Sequence, residues 1–254
     1  MACLDIKGMR IGEGRPKIIT SLMGRDAEEC VQAAKKGKAA GVECFEIRAD
    51  FDESVHDPQA MAEHARIVAA ELPSNPLLFT FRSTSQGGRL TLPVEEYMAL
   101  DRAVIEAGNV DLVDIESWIG DERVVELVDC AHEHGVAAVV SCHDFEGTPE
   151  TAWMVEQMAH FAELGADIPK MAVMAKDAKD ALALLSATEQ MSREHPDKPL
   201  LTMAMGREGS ISRLTGELFG SALTFCSLEA SSAPGQVDVA RARRMMDDLH
   251  EVLS

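Results

Sequence analysis

The chain has 254 residues, with 43 acidic and 24 basic side chains and a formal net charge of -19 at pH 7. Nucleic acids and anionic membranes bind clustered lysine and arginine, so this charge argues against both as partners. The six cysteines are scattered without a C-x-x-C pair or zinc-ligand spacing, which fits reduced thiols in the cytoplasm.

Neither a targeting segment nor a domain boundary is recognisable in the sequence. Asp5, Lys7 and Arg10 interrupt the stretch that a signal peptide would need to be apolar, and no apolar run approaches membrane-spanning length. No linker rich in proline, glycine or serine divides the chain. We therefore expect a cytoplasmic protein with one domain over residues 1–254.

Strand patterns and helix patterns alternate along the chain. Residues 1–15 alternate weakly and contain turn glycines, which predicts a short hairpin or arm ahead of the main fold. Asp26 with Glu29, and Asp57 before Pro58, have the pattern of helix N-termini. The predicted strand and helix pairs are, in chain order, 17–21 and 26–40, 42–50 and 57–72, 77–82 and 93–107, 110–116 and 121–134, 136–143 and 148–164, 167–175 and 177–194, 200–205 and 210–219, and 223–228 and 237–253.

Eight strand–helix units in about 250 residues are the number and size of a (β/α)8 barrel. The nearly continuous apolar strands fit a parallel sheet that is buried on both faces. A doubly wound open sheet is the alternative, but Ser21-Leu-Met-Gly24 lacks the G-x-G-x-x-G turn that would favour it. We therefore predict an α/β fold, a TIM barrel preceded by a short N-terminal hairpin or arm.

The active site of such a barrel lies at the carboxyl ends of its strands, so polar residues at those ends are the candidates. Arginines are prominent among them, and their planar forks suit carboxylates and hydroxyl-rich molecules. The candidates are Ser21, Glu46, Arg48, Asp50, Arg82, Glu116, His143 and Lys176, with Arg213 and residues 232–236 nearby.

A lysine occurs inside the apolar run 167–175. A period of two places Lys170 on one strand face with Ala172 and Met174, which predicts that its amine is buried. Burial lowers an amine pKa and makes the neutral nucleophile accessible. Alternatively, the stem packs while the ammonium reaches solvent or a carboxylate. Lys176 adjoins Asp177 at a helix start, which favours a protonated amine, so we prefer Lys170 as an imine-forming residue.

His143 ends the fifth predicted strand. A histidine at a strand end can be a structural hydrogen-bonding residue. Beside an imine-forming lysine, however, it has the pKa range that a general acid and base requires.

Six motifs, in order and at fitting spacing, resemble type I 3-dehydroquinate dehydratase of the shikimate pathway. The resemblance extends over about residues 18–239. The motifs are Glu46-Ile-Arg48-Ala-Asp50, Arg82 followed by Gly87-Gly88, Val140-Ser-Cys-His143-Asp-Phe, Lys170 within Ile-Pro-Lys-Met-Ala, Met205-Gly206 leading to Ile211-Ser-Arg213, and Ala233-Pro-Gly-Gln236.

The resemblance implies a homodimeric lyase that converts 3-dehydroquinate to 3-dehydroshikimate and water without a metal or an organic cofactor. It implies that Lys170 forms an imine with the ring ketone, His143 is the general acid and base, and Arg213 binds the substrate carboxylate. The residues implied to hold the hydroxyls and neighbouring groups are Glu46, Arg48, Arg82, Ser21, Ser232 and Gln236. Biosynthetic and quinate-degrading roles stay open, because both use this reaction.

Gln86 is a departure from the family pattern, because a glutamate is expected there to orient the histidine. An amide can still hydrogen-bond the imidazole, but it brings no charge to raise the pKa of His143.

Three other functions fit parts of the sequence. A lysine-imine aldolase would use the same Lys170, although phosphate-sugar aldolases need a glycine-rich phosphate site. A metal enzyme would use oxygen ligands for a divalent ion, but Arg48 and Arg82 are expected to pair with those carboxylates first. A binding or scaffold barrel would need no chemistry at all. The candidate metal ligands are Glu46, Asp50, Asp114 and Glu116.

Overall fold

The structure is a computed structural model that describes residues 3–254. Strand β1 (Leu4–Ile6) pairs antiparallel with β2 (Met9–Ile11), so the predicted N-terminal hairpin is confirmed. Its turn has positive φ angles at Lys7 and Gly8, 52° and 78°, as a tight two-residue hairpin turn requires. Ile11 is fully buried and packs with Ile19 and other inward residues near the amino ends of the barrel strands. The hairpin therefore covers the amino-terminal end of the barrel.

The remaining strands form a parallel sheet in the order β11-β10-β3-β4-β5-β6-β7-β8-β9. Apart from the short β11, these strands are made mainly of buried apolar residues, as a sheet covered on both faces requires. They are β3 (Lys17–Leu22), β4 (Cys44–Arg48), β5 (Leu77–Thr80), β6 (Leu112–Glu116), β7 (Ala137–Asp144), β8 (Ile168–Met174), β9 (Leu201–Met205), β10 (Leu223–Ser227) and β11 (Val237–Asp238).

Helices follow the strands and cover the outside of the sheet. Asp26, Asp57 and Asp177 accept backbone N–H groups at the first turns of their helices, as N-caps do. The helices are α1 (Ala27–Ala39), α2 (Pro58–Glu71), α3 (Val94–Glu106), α4 (Asp121–Glu133), α5 (Thr151–Glu163), α6 (Ala178–Glu194), α7 (Gly216–Phe219) and α8 (Val239–Leu253). None of those formed by residues 3–254 has both the length and the apolar composition to cross a bilayer.

The sheet closes between β9 and β10. Leu200 and Ser221 form a parallel bridge, and the Ala222 N–H donates to the Leu200 carbonyl at 2.7 Å. Because β10 also pairs with β3, the eight strands β3 to β10 form a ring, and the predicted TIM-barrel fold is confirmed.

Two apolar cores lie on the two faces of this ring. Met171 and Val173 of β8 pack in the outer core, between sheet and helices, whereas Ala172 packs in the inner core. Lys170 is buried on the same strand and lines the barrel cavity with Ala172. The period of two along this strand therefore assigned both faces correctly.

Several element boundaries differ from the predictions, and three of the differences change how an element is built. The helix predicted over 210–219 is divided into a 3-10 turn, Ser210–Arg213, and the short α7. Residues 237–238 extend the sheet before α8 begins. Helix α5 begins at Thr151, because Thr148 donates its hydroxyl to the Met174 carbonyl and does not cap the helix. Tertiary contacts outweigh local propensity at all three sites.

Candidate active site

A cavity opens at the carboxyl ends of the strands. It is lined by eight of the ten predicted site residues, and the remaining wall is mainly apolar. The predicted residues are Glu46, Arg48, Arg82, Gln86, His143, Lys170, Ser232 and Gln236, and the apolar ones are Phe145, Ala172, Met203, Met205, Phe225 and Ala233. Ser21 contacts Glu46 and Ser232 at the edge of the cavity, and Arg213 lies behind its wall.

Lys170 extends its amine into this cavity and is only 2% exposed. Burial lowers the pKa of Lys170, and Arg82 lowers it further, although Asp114 opposes them. Nζ lies 2.6 Å from Asp114 Oδ2 and 5.0 Å from the ring centroid of Phe225. The sequence had suggested purely apolar surroundings for this amine. The structure differs, because a carboxylate contacts the amine directly.

Asp114 is a site residue that the sequence analysis considered only as a metal ligand. Its Oδ1 accepts a hydrogen bond of 2.6 Å from Ser141 Oγ and lies 2.8 Å from Arg82 Nη2. Burial by itself would raise the pKa of Asp114, but Arg82 and Lys170 hold it well below its usual range. Asp114 faces the barrel interior from strand β6, and its partners are Ser141 of β7, Lys170 of β8 and Arg82.

Arg82 joins two buried carboxylates. Its Nη1 donates to Glu116 Oε1 at 2.7 Å and to Ser141 Oγ at 3.1 Å. Burial alone would lower the pKa of Arg82, but Asp114 and Glu116 raise it above its ordinary value. Arg48 pairs with Asp50 in the same way, with contacts of 2.8 and 2.9 Å. Three of the four carboxylates considered as metal ligands are thus paired with arginine. The sequence analysis expected this pairing and used it as the argument against a metal site.

His143 is held by the side chain of Gln86. Gln86 Oε1 accepts from the His143 backbone N–H at 2.5 Å and lies 3.1 Å from Nδ1. An amide oxygen only accepts, so Nδ1 bears the ring proton and Nε2 has a free lone pair. Burial, Arg82 and Lys170 hold the pKa of His143 well below its usual value, in that order of size. The neutral imidazole is therefore available as a base.

The segment that carries Gln86 is a single 3-10 turn, Thr84–Gln86. The turn ends at Gly87, whose φ is +85°. A Cβ atom there would meet Phe145 at 2.1 Å. Phe145 follows strand β7 and packs against this glycine. The contact fixes the turn that presents Gln86 to His143.

Glu46 and the loop after β10 close the other side of the cavity. Glu46 accepts hydrogen bonds from Thr80 Oγ1 at 2.9 Å and from Ser21 Oγ at 2.5 Å. Gln236 Nε2 donates to Ser232 Oγ at 2.8 Å, and Ser232 Oγ lies 3.0 Å from Ser21 Oγ. These groups form a continuous line of hydroxyl, amide and carboxylate groups that can bind ligand hydroxyls.

Arg213 is buried without an acidic partner among residues 3–254. Its Nη1 and Nη2 contact the Phe225 and Pro234 carbonyls at 3.4 and 3.2 Å, and Nε has no hydrogen-bond partner in the described chain. Burial lowers its pKa to about 10. A guanidinium in this situation favours a ligand with a carboxylate.

The sequence profile of the type I 3-dehydroquinase family matches residues 18–252. The chain belongs to the type I 3-dehydroquinase family. A 3-dehydroquinate dehydratase from Salmonella agona is 41% identical over 251 residues, which cover 99% of this chain and 100% of the relative. The family predicted from the six motifs, and with it the lyase class, is confirmed.

Solved structures of family members share the whole fold. A type I 3-dehydroquinate dehydratase from Clostridium difficile has a TM-score of 0.95 at 39% identity, covering 99% of this chain and 100% of that one. The enzyme from Geobacillus kaustophilus has a TM-score of 0.94 at 36% identity, covering 98% and 96%. The barrel described above is therefore the family fold over nearly the full chain.

Proposed function

We propose that this protein dehydrates 3-dehydroquinate to 3-dehydroshikimate through an imine on Lys170, with His143 as the general acid and base. The observation that supports this most strongly is the pairing of two groups in one cavity. Lys170 presents a buried amine with a lowered pKa, and His143 presents an unprotonated Nε2. The Clostridium difficile relative was solved with covalently modified comenic acid, which also indicates a site capable of covalent chemistry.

The chemistry needs both groups. Water leaves from a carbon β to the ketone, which requires removal of a weakly acidic proton from the carbon between them. When the ketone becomes an iminium on Lys170, it accepts the electron pair of that C–H bond as His143 takes the proton. The nitrogen lone pair then returns, the hydroxyl departs with a proton from His143, and hydrolysis of the iminium frees the lysine.

The remaining groups would position the substrate. Arg213 would bind its carboxylate, because the guanidinium lacks an acidic partner within residues 3–254. Ser21, Glu46, Ser232 and Gln236 would bind its hydroxyls through the line of polar groups that they form. Arg48 and Arg82 line the same cavity and would neutralise negative charge there. This assignment needs neither a metal nor an organic cofactor, and we further propose a cytoplasmic homodimer.

Borohydride trapping tests this function. The protein is incubated with 3-dehydroquinate and borohydride, and the adduct is mapped by mass spectrometry, while a parallel assay measures the ultraviolet absorbance of the conjugated product. We expect an adduct on Lys170 and formation of the enone. Lys170→Ala should abolish both, whereas the matched variant Lys176→Ala, altered at an exposed lysine just beyond the same strand, should retain both. An adduct without the enone would indicate an aldolase, and absence of both would refute the proposal.

A further inference from the structure

A buried carboxylate lies in direct contact with the amine that the proposed reaction uses. Asp114 Oδ2 is 2.6 Å from Lys170 Nζ, and the Asp114 side chain is fully buried. We propose that Asp114 is a further catalytic residue, the counter-ion that keeps the imine nitrogen of Lys170 protonated while water is eliminated. This inference rests on the proposed imine chemistry and adds a residue to it.

The position of Asp114 is fixed by contacts with three side chains from other parts of the barrel. Ser141 of β7 donates to Oδ1 at 2.6 Å, Arg82 beyond β5 lies 2.8 Å from the same oxygen, and Lys170 of β8 contacts Oδ2. Because Arg82 and Ser141 occupy Oδ1, the second oxygen stays directed at the lysine. A carboxylate that is held in place does not have to reorganise when the charge at nitrogen changes form.

The atom balance of imine formation shows why an acceptor is needed at this place. The Lys170 ammonium and the ketone together give a protonated imine and one water molecule, so the nitrogen retains one N–H bond and the positive charge. In a buried site this N–H needs an acceptor, because a buried donor that is left without a partner is destabilising. Asp114 Oδ2 already lies at hydrogen-bond distance from that nitrogen.

Protonation decides whether the imine can accept electrons. A neutral imine is a poor electron sink, and a nearby positive charge favours that neutral form. Arg82 contributes such a charge at the amine, and His143 becomes positive once it has taken the substrate proton. Asp114 and Glu46 act in the opposite direction. Asp114 is the carboxylate in hydrogen-bond contact with Nζ, so it has the largest influence on the protonated form.

Asp114 acts after the imine has formed. Its charge favours the ammonium form of the free lysine and therefore opposes nucleophilic attack. Burial and Arg82 outweigh this effect, and the pKa of Lys170 is still lowered. Loss of the carboxylate should thus leave imine formation possible and impair the elimination that follows.

Two hydride donors distinguish these steps in Asp114→Asn. Cyanoborohydride near neutral pH reduces protonated imines, whereas borohydride also reduces neutral ones. We expect the wild-type protein to give the Lys170 adduct with both reagents. Asp114→Asn should give it with borohydride, but the yield with cyanoborohydride should fall about tenfold or more, and kcat should fall about 100-fold. KM should change much less than kcat, because the substrate contacts are retained.

Asp101→Asn is the matched control, since Asp101 is also fully buried but makes no contact with Lys170. It should keep the wild-type kcat and the wild-type ratio of adduct yields with cyanoborohydride and borohydride. If circular dichroism shows that Asp114→Asn does not fold, Ser141→Ala, which removes one donor to Asp114, should shift the ratio and kcat in the same direction by a smaller factor.

Several outcomes would overturn the role of Asp114. The first is that Asp114→Asn keeps the wild-type kcat and the wild-type ratio of adduct yields with the two reagents. The second, where Ser141→Ala replaces it, is an unchanged ratio in that variant. The third is that a folded Asp114→Asn protein gives no adduct with either reagent. The last result would assign Asp114 to imine formation. Absence of an adduct in the wild-type protein would instead refute the proposed function, so the two failures are distinguishable.

Discussion

His143 is oriented by an amide in this protein, where the family resemblance led us to expect a carboxylate. The contacts of Gln86 Oε1 with the His143 backbone N–H and Nδ1 fix the ring as a carboxylate would, but they add no negative charge. The pKa of His143 is therefore lowered by burial, Arg82 and Lys170, with only Asp114 among the main influences opposing them.

Gln86→Glu should raise the pKa of His143. An adjacent carboxylate favours the imidazolium, so the acidic limb of the pH profile of kcat/KM should move upward by about one unit or more. The wild-type protein, whose histidine stays neutral to lower pH, should retain activity further into the acidic range. Steady-state rates between about pH 4 and 9 measure the shift, and superimposable profiles would show that Gln86 does not tune the base.

Asp101 is a second residue whose protonation state the structure determines. It lies fully buried on α3, and neither carboxyl oxygen has a hydrogen-bond partner within residues 3–254. Burial raises the pKa of Asp101 well above its usual value. Because the folded pKa exceeds the unfolded one, stability is unaffected below the unfolded pKa and decreases as pH rises from there toward the folded pKa.

Asp101→Asn should therefore stabilise the protein at neutral pH by about 1 kcal/mol or more, because the amide has no ionised form to bury. Urea unfolding should show this difference in the free energy of unfolding between variant and wild type at neutral pH. At about pH 3.5 the difference should be small. A loss of stability at both would mean that the carboxyl group makes contacts that an amide cannot replace.

At the scale of elements, the turn Thr84–Gln86 after strand β5 carries the side chain that holds His143, the proposed acid and base. Its geometry depends on a glycine packed under an aromatic ring, since Gly87 has φ +85° and no room for a side chain beside Phe145. A displacement of this turn would move Gln86 away from His143 while the barrel stays intact.

Gly87→Ala should lower kcat about tenfold or more, because small misplacements of catalytic groups have large kinetic effects. Gly108→Ala is the matched control, with a similar φ of +65° but no atom within 4 Å of the new Cβ. Both variants should lose about 1–2 kcal/mol of stability from the left-handed backbone. Equal kcat values in the two proteins would show that the contact with Phe145 does not position the turn.

The N-terminal hairpin is the element that seals the opposite end of the barrel. Besides Ile11, which is fully buried, it contributes Lys7, whose Nζ contacts Asp111 at 2.8 Å and the Leu72 carbonyl at 3.3 Å. The hairpin is thus attached by both an apolar and an ionic contact.

Ile11→Ala should lower the free energy of unfolding by about 2–5 kcal/mol, since a buried side chain is replaced by a cavity. Arg10→Ala, on the exposed side of the same strand, should change it by less than about 1 kcal/mol. Activity should be unchanged in both at temperatures where they are folded, because the active site lies at the other end. Denaturant unfolding and kinetics measure the two effects, and a kinetic defect in Ile11→Ala would contradict this separation.

At the scale of the whole molecule, closing the sheet brings distant residues to one cavity. Ser21 of β3 and Ser232 after β10 are 211 positions apart in the chain, yet their hydroxyl oxygens lie 3.0 Å apart. Arg48 and Arg82 line the cavity and Arg213 lies behind its wall, although the protein carries a net charge of -19. Local arginines therefore provide the attraction for an anionic substrate.

The proposed homodimer belongs to this scale as well. Light scattering should give twice the chain mass of 27.5 kDa at micromolar concentrations. Exposed large apolar side chains such as Trp153 and Leu182 are suitable positions for charged substitutions that would test where the subunits meet. A mass equal to that of one chain would contradict the proposal.

The sequence alone was sufficient for the family, the barrel and most of the residues that line the cavity at its mouth. These depend on local information, namely the period of two in strands, the helix caps at Asp26 and Asp57, and six motifs in order. The inward direction of Lys170 and the proximity of Gln86 to His143 also followed from strand position and motif. The predicted helix over 210–219 was wrong because contacts at the barrel rim outweigh helix propensity.

Only the tertiary structure decided how the charges are paired. Asp114 was considered only as a metal ligand, but it contacts Lys170 while Ser141, on the strand between them, and Arg82 hold its other oxygen. The burial of Arg213 without an acidic partner within residues 3–254 and the buried acid Asp101 were likewise beyond local patterns. Hydrogen bonds and ion pairs depend on distances between strands far apart in the chain, and those distances are set only when the barrel closes.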